Sequence, residues 1–399
     1  MVVLQAGVNM AEKLMLEGFK PFIGKHCETT ALKRALDYHG LDLSEEMLLG
    51  LGGGIGFIYW YMKIMPGPFI GGRNGKVAEF AVTACKRLGA EVAVMETASA
   101  SKGYEELKEL LRNGEPAVAY VDMAYLPYLA VPEQAHFGGH VVAVFGLDED
   151  RDVVHIYDRG RNPVTAGIAD LARARASKFP PFPPKHRLLK IKYPARIGDL
   201  GTGIKDSILE CCNNMLKPPI KNIGLAGMQK WAEMVVKWPQ QFKGLNLLGA
   251  LMNGFMYIEI GGTGGSAFRY MYARFLEEAS SIINQPLLKE VADMMRQSAV
   301  IWSQIADGFL PDSWPNLKRM RQLIVEKNRL FEEQEPGALK AMLQINREFD
   351  VLMKKAVDDL SRPPAFLADV QRSILRCRDI ESQAFQSLTN IVDKPKVKD

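Results

Sequence analysis

Cys27, His140 and Asp158 supply one thiol, one imidazole and one carboxylate. These are the minimum parts of a cysteine nucleophile site: a thiolate to attack a carbonyl, a base to manage its proton, and an acid to orient the base. Cys27 opens the run CETTALKRAL at 27–36, where Ala31, Leu32 and Ala35 form an apolar stripe at helical spacing. Glu28 falls in the first turn and Lys33 and Arg34 come later, which suits the helix dipole. The spacing predicts a helix that begins at Cys27. At a helix start, unpaired backbone N–H groups favour a thiolate, and the N–H of Cys27 itself could donate to an oxyanion. Taken alone, a cysteine in such a place is more often a buried structural residue.

The other two groups sit on what reads as a β-hairpin. HVVAVFGL at 140–147 and DVVHIYD at 152–158 are β-branched, apolar runs separated by Asp148, Glu149 and Asp150. A turn centred on Glu149 places His140 directly opposite Asp158, so that the carboxylate orients the imidazole. Gly138 and Gly139 leave room beside the ring. The alternative is that His140 opens a core strand and Asp158 caps a turn.

The order Cys, His, Asp is that of papain-like enzymes, and a closer likeness follows from the surrounding residues. Residues 19–160 resemble the N-terminal domain of the butirosin biosynthesis protein H family. The likeness rests on His-Cys-Glu at 26–28, LSEEMLLGLGGGIGF at 43–57 and GGRNG at 71–75. It continues in YLPY at 125–128, HFGGHVVAVFG at 136–146 and IYDRG at 156–160. Residues after about 200 resemble that family's partner domain, most clearly in IEIGGTGGSAFRYMYARFLEEA at 258–279. The resemblance implies a fold distantly similar to the cysteine-peptidase domain of bacteriocin-processing enzymes. It implies Cys27, His140 and Asp158 as a triad. It also implies an acyltransferase that moves an acyl group from a carrier-protein or coenzyme A thioester, through its phosphopantetheine arm, to a small amine. One departure stands out: papain-like enzymes place a Gln several residues before the nucleophile as oxyanion donor, and FKPFIGKH at 19–26 has none. His26 or a backbone N–H is left for that role.

Other residues are candidates for substrate binding. His26 and Glu28 flank the thiol, and Arg73 and Asn74 lie in a turn-like GGRNG stretch. Gly261-Gly262-Thr263-Gly264-Gly265 precedes a helical run expected over 267–279, an arrangement that can bind an anion through backbone N–H groups. There Thr263 lies in the loop, Glu259 is placed to meet an acceptor amine, and Arg269 to support an anion; the structural alternative is a tight turn with Glu259 and Arg269 as an ion pair. Lys185, Arg187, Lys190, Lys192 and Arg196 include no acid between them. They read as a solvated linker or as a docking patch for an acidic carrier protein.

Composition narrows the class. The 399 residues are 24% charged and 47% hydrophobic, which is globular rather than disordered. The five cysteines are scattered and odd in number, which argues against a disulfide framework, and no Cys/His spacing suits zinc. A formal charge of +4 is too small to argue for nucleic acid. The N-terminus lacks a signal-peptide pattern, and the uncharged stretch Met47–Met62 is too short and Gly-rich to span a membrane. A cytoplasmic enzyme without bound metal or cofactor is expected, and homo-oligomerisation is left open. All six histidines precede residue 199, so histidine acid–base chemistry is confined to the first half.

The expected fold is α+β: a papain-like domain over 1–190, then a mainly helical domain over 199–399. Strands are expected at 91–96 and 116–122, and helices at 76–88, 104–112 and 168–178. A proline-rich break follows at 180–184. Four long apolar stripes, beginning at Ile223, Leu288, Leu339 and Phe366, predict bundle helices. Three functions fit: an amide-forming acyltransferase, a cysteine hydrolase of peptides or amides, or a binding protein that reuses the fold. The intact Cys, His and Asp disfavour the last.

Overall fold

The computed structural model describes residues 11–63, 65 and 67–393, so the reading of residues 1–10 lies outside the described residues. The first half alternates strands and helices: β1 (Lys13–Met15), α1 (Cys27–Tyr38), α2 (Glu45–Leu51), β2 (Ile55–Trp60), β3 (Phe69–Arg73), α3 (Glu79–Arg87), β4 (Glu91–Met95), α4 (Ala100–Arg112), β5 (Ala117–Val121), β6 (His140–Asp148), β7 (Val153–Tyr157), β8 (Val164–Ala166), α5 (Ile168–Ala176) and β9 (Leu188–Lys192). Seven of these strands form one antiparallel sheet in the order β4-β9-β5-β6-β7-β8, with β1 also on β6. The apolar run of β6 is buried along its whole length, as its near-continuous hydrophobicity requires. β5 pairs with its first half and β1 with its second. Helix α1 packs across β6 and β5, so its N-terminus meets the start of β6.

The middle of the basic run, 188–192, is a strand rather than a linker. Leu188, Leu189 and Ile191 are buried while Lys190 and Lys192 are exposed, a strand alternation that makes β9 the neighbour of both β4 and β5. Arg187 pairs with Glu96 at 2.7 Å and Lys192 with Glu91 at 2.7 Å, so acids of the neighbouring β4 segment answer the charge. The sheet therefore runs past residue 190.

The second half is helical: α6 (Gly201–Leu216), α7 (Gly224–Val235), α8 (Trp238–Gln241), α9 (Leu245–Phe255), α10 (Arg269–Ile282), α11 (Leu287–Phe309), α12 (Pro315–Glu333), α13 (Ala338–Asp359) and α14 (Leu367–Val392). Helix α10 starts later than its pattern suggests, because Ser266, Ala267 and Phe268 all take left-handed backbone angles. The two halves share one core. The β2–β3 hairpin pairs outside the main sheet, and Phe57 of β2 stacks on Trp231 of α7 at 5.4 Å. Gly50 of α2 lets the Phe275 ring of α10 approach to where a Cβ would stand, 2.1 Å away. No helix is long and apolar enough to cross a membrane among the described residues.

Candidate active site

His26 caps α1, and its extended backbone (φ −130°, ψ 129°) turns the chain into the helix at Cys27. The cap works through the ring: Nδ1 accepts from the backbone N–H of Thr29 at 3.3 Å. A buried carboxylate fixes the turn from below. Glu45 accepts from Lys25 N–H at 2.9 Å and from the hydroxyls of Thr29 and Thr30 at 2.9 and 2.7 Å. Cys27 is half-buried; the other four cysteines are buried. Burial pushes Cys85 up to about 12 and Cys212 up to about 11, and raises Cys211 and Cys377 as well. Cys27 is thus the one thiol offered to a ligand.

His140 opens β6, and its Nε2 lies 2.7 Å from Asp158 Oδ2. The hairpin register differs from expectation. A bulge lies between Val144 and Gly146, and Val144 then faces Ile156 and Ala143 faces Tyr157. One step further puts Asp158 beside Val142 rather than His140. The slip is two residues, a whole pleat, so both side chains keep the same face and meet diagonally. Asp158 also accepts from Tyr128 OH at 3.0 Å and Arg159 N–H at 2.7 Å. Tyr128 belongs to the YLPY stretch, whose role the sequence did not disclose. Buried Asp122 secures the approach to His140: it accepts from His136 at 2.9 Å, Ser177 at 2.6 Å and Phe137 N–H at 3.0 Å.

The electrostatics follow from these contacts. Burial opposes charge on His140, but the Asp158 carboxylate, its hydrogen bond and the Cys27 thiol overcome it, and the imidazole is pushed up to about 10. Asp158 is held below the usual carboxylate range; burial raises it, and His140 and Arg159 outweigh that. His26 goes the other way. Burial first, then the charges of Arg73, Arg159 and His140, push it well below the ordinary histidine range. Two imidazoles beside one thiol are therefore sorted, one cationic and one neutral. Cys27 lies close enough to His140 to help hold the ring protonated, and a direct thiol–imidazole hydrogen bond is often formed only once substrate binds.

The remaining candidates separate into near and far. Glu28 is buried between Arg73 (3.0 Å) and Tyr120 OH (2.6 Å), tying α1 to β3 and β5. Asn74 donates to the carbonyls of Gly53 and Ile55 and braces the β2–β3 hairpin. Thr263 donates to Ile258 O at 2.7 Å. Arg269 is fully buried and pairs with Glu381, Nε to Oε1 at 2.8 Å, while Nη1 donates to the carbonyls of Gly56, Gly72 and Ala267. The alternative of a Glu259–Arg269 ion pair is therefore ruled out. In the loop at 261–265 three of the five N–H groups are already engaged. The N–H groups of Gly261, Gly262 and Gly265 bond to Met256 O, Ile260 O and Thr263 Oγ1, and that of Ser266 to Glu259.

That loop nonetheless lies on the site. A carbon added to Gly262 would stand 3.7 Å from Cys27 N, and one on Gly264 3.2 Å from Lys25 Cβ. Glu259 rides on a π-helical turn, Met256–Ile260, just before it. Its Oε1 accepts from Ser303 Oγ at 2.7 Å and Ser266 N–H at 3.3 Å, and its Oε2 stands 3.3 Å from where a Cβ of Gly265 would be. Among the described residues no cation pairs with Glu259. Burial raises its carboxyl; the hydrogen bonds from Ser303 and Ser266 offset this in part, and the charge of Asp307 adds to the rise. Among the described residues no cluster of three or more His, Cys, Asp or Glu could hold a metal.

Residues 26–159, which run from the helix cap past Asp158, match the sequence model of butirosin biosynthesis protein H, N-terminal. Over that span the chain is similar to the N-terminal domain of the butirosin biosynthesis protein H family. Residues 169–342 match a domain of unknown function, DUF4872. That match begins at α5, inside the sheet half, and so takes in β9 as well as the helices that carry the glycine loop. No curated protein matches the chain. The family is linked to biosynthesis, and all three groups of the Cys27 site, together with Tyr128, lie within the matched span.

Proposed function

We propose that this chain is a cytoplasmic acyltransferase of papain-like fold that forms amides, with Cys27 as nucleophile, His140 as acid–base and Asp158 as its orienting group. The observation that carries the reading is an accessible thiol at a helix start beside a histidine whose far nitrogen is held by a buried carboxylate. The donor is an acyl thioester on the phosphopantetheine arm of a carrier protein or coenzyme A. The acceptor is a small amine. No bound cofactor is required.

The thiolate of Cys27 attacks the thioester carbonyl, and the C=O pair moves to oxygen. Collapse of the intermediate expels the pantetheine thiolate, which takes its proton from the His140 imidazolium, and leaves Cys27 acylated. The amine then attacks the acyl-enzyme, His140 takes its proton, and Cys27 leaves as the amide forms. The first exchange links two thioesters and has little bias; amide formation draws the second downhill. Water must be kept out between the steps, and the helical half supplies a lid in the loop that abuts Cys27 N. Glu259, with no cation partner and one oxygen toward that loop, is the acceptor-amine contact in this reading.

Intact-protein mass spectrometry with a panel of acyl thioesters tests the proposal. An adduct on Cys27, absent from Cys27→Ala and discharged by an added amine, is expected. An adduct lost equally fast in water alone makes the protein a hydrolase, and full transfer by Cys27→Ala excludes the covalent route.

A further inference from the structure

Acyl transfer at Cys27 passes through an intermediate whose oxygen is an anion, and such sites hold it with two preorganised donors. The upstream Gln of papain-like enzymes is absent here, so the donors must come from elsewhere. At the start of α1, Thr30 N–H is engaged by His26 O at 2.8 Å and Thr29 N–H by His26 Nδ1. Cys27 N–H and Glu28 N–H remain, and of the two Cys27 N is the one that borders the space over Gly262.

We propose that the second donor is the His26 side chain: His26 Nε2–H and Cys27 N–H together form the oxyanion hole, and Gly262 keeps it open. The tautomer follows from the cap. Nδ1 accepts a hydrogen bond, so it carries no proton, and the proton of the neutral ring sits on Nε2. That nitrogen has no hydrogen-bond partner among the described residues and keeps an opening to solvent, although the residue is only 5% exposed. The carbon bonded to it, Cδ2, lies 3.9 Å from the point above Gly262 that is 3.7 Å from Cys27 N, so both donors border one small space. Gly262 sits at φ +69°, where a side chain would be strained as well as in the way. The ring cannot swing: Phe80 and Phe268 meet it edge-on at 5.8 and 5.2 Å, and Phe268 ends the left-handed turn of the helical half. Burial and the surrounding cations keep it neutral, so it donates without adding charge near the imidazolium of His140. This inference rests on Cys27 being an acyl-accepting nucleophile.

The test compares two reactions of the same thiol. Iodoacetamide alkylates Cys27 by displacement at a saturated carbon, which builds no oxyanion. The ester p-nitrophenyl acetate acylates it: the C–S bond forms, the carbonyl pair moves to oxygen, and collapse releases nitrophenolate. His26→Asn keeps a helix cap for Thr29 N–H but has no group that reaches the Nε2 position. Its acylation burst is expected to slow by about 10² relative to wild type, while alkylation changes by no more than a few-fold. Gly262→Ala is expected to behave alike. Both rates falling together would mean that His26 only supports the thiol, and unchanged acylation would mean that it is no donor; either overturns the inference. A wild-type Cys27 that p-nitrophenyl acetate does not acylate overturns the nucleophile reading itself, which separates the two failures.

Discussion

At the residue scale, the arrangement sets pH behaviour. His140 stays protonated up to about 10 because Asp158 and Cys27 outweigh its burial. Removing the carboxylate in Asp158→Asn removes what stabilises the charged ring, and burial then dominates. The basic limb of the acylation rate is expected to move from near 10 down to the ordinary histidine value of about 6.5 or below, with a rate loss of roughly 10² or more. A limb that stays in place would detach Asp158 from the chemistry. The sign for stability is the same. A raised histidine contributes fully below about 6.5, and its contribution is lost as pH rises through about 10, so His140→Ala should flatten that alkaline fall in urea titrations. The acceptor side has its own test: Glu259→Gln is expected to raise the KM for the amine roughly 10-fold while leaving the acylation burst of Cys27 intact.

At the element scale, local periodicity was legible and cross-chain partnership was not. The α1 stripe, the β6–β7 hairpin and the four bundle stripes each carry their pattern within a short window, so their positions could be read. Strand β9 could not, because its exposed lysines imitate a linker and the glutamates that answer the basic run lie on or next to β4, about a hundred residues earlier (Lys192–Glu91 spans 101). The hairpin register slipped because a bulge leaves no mark in an alternating apolar run, yet His140 and Asp158 still meet since the slip was even. Arg269 is the same lesson in charge: Glu259, ten residues before it, was the wrong partner, and Glu381 lies 112 residues on. That pair, fully buried and further bonded by Trp302 and Ser298, ties α14 through Arg269 to the β2–β3 hairpin. Arg269→Met leaves Glu381 buried and unpaired, and a loss of about 3–5 kcal/mol is expected in the urea midpoint. Arg269→Met/Glu381→Gln, which removes the lone charge, should recover part of it. A single variant as stable as wild type would refute the bridge.

At the scale of the whole molecule, the site belongs to both halves. Cys27, His140 and Asp158 come from the sheet half, but the loop against Cys27 N and the ring against His26 come from the helical half. Further ties surround it: Arg159, next to Asp158, pairs with Glu332 of α12 at 3.0 Å, and Ser44 before α2 donates to Glu278 of α10 at 2.7 Å. Phe57 and Tyr59 of the β2–β3 hairpin have their core among Trp231, Trp302 and Trp238 rather than under the main sheet. Removing either half would expose those faces to water. The expected consequence is one cooperative unfolding transition. Tryptophan fluorescence reports chiefly the helical core, which holds four of the five tryptophans, and alkylation of buried Cys85 reports the sheet half. In urea the two probes should share a midpoint and slope, because the sheet half cannot keep α2 and the β2–β3 hairpin packed once α7 and α10 have left. Separate midpoints would show that the sheet half stands alone, and the 261–265 loop beside Cys27 would then be free to leave without unfolding anything beneath it.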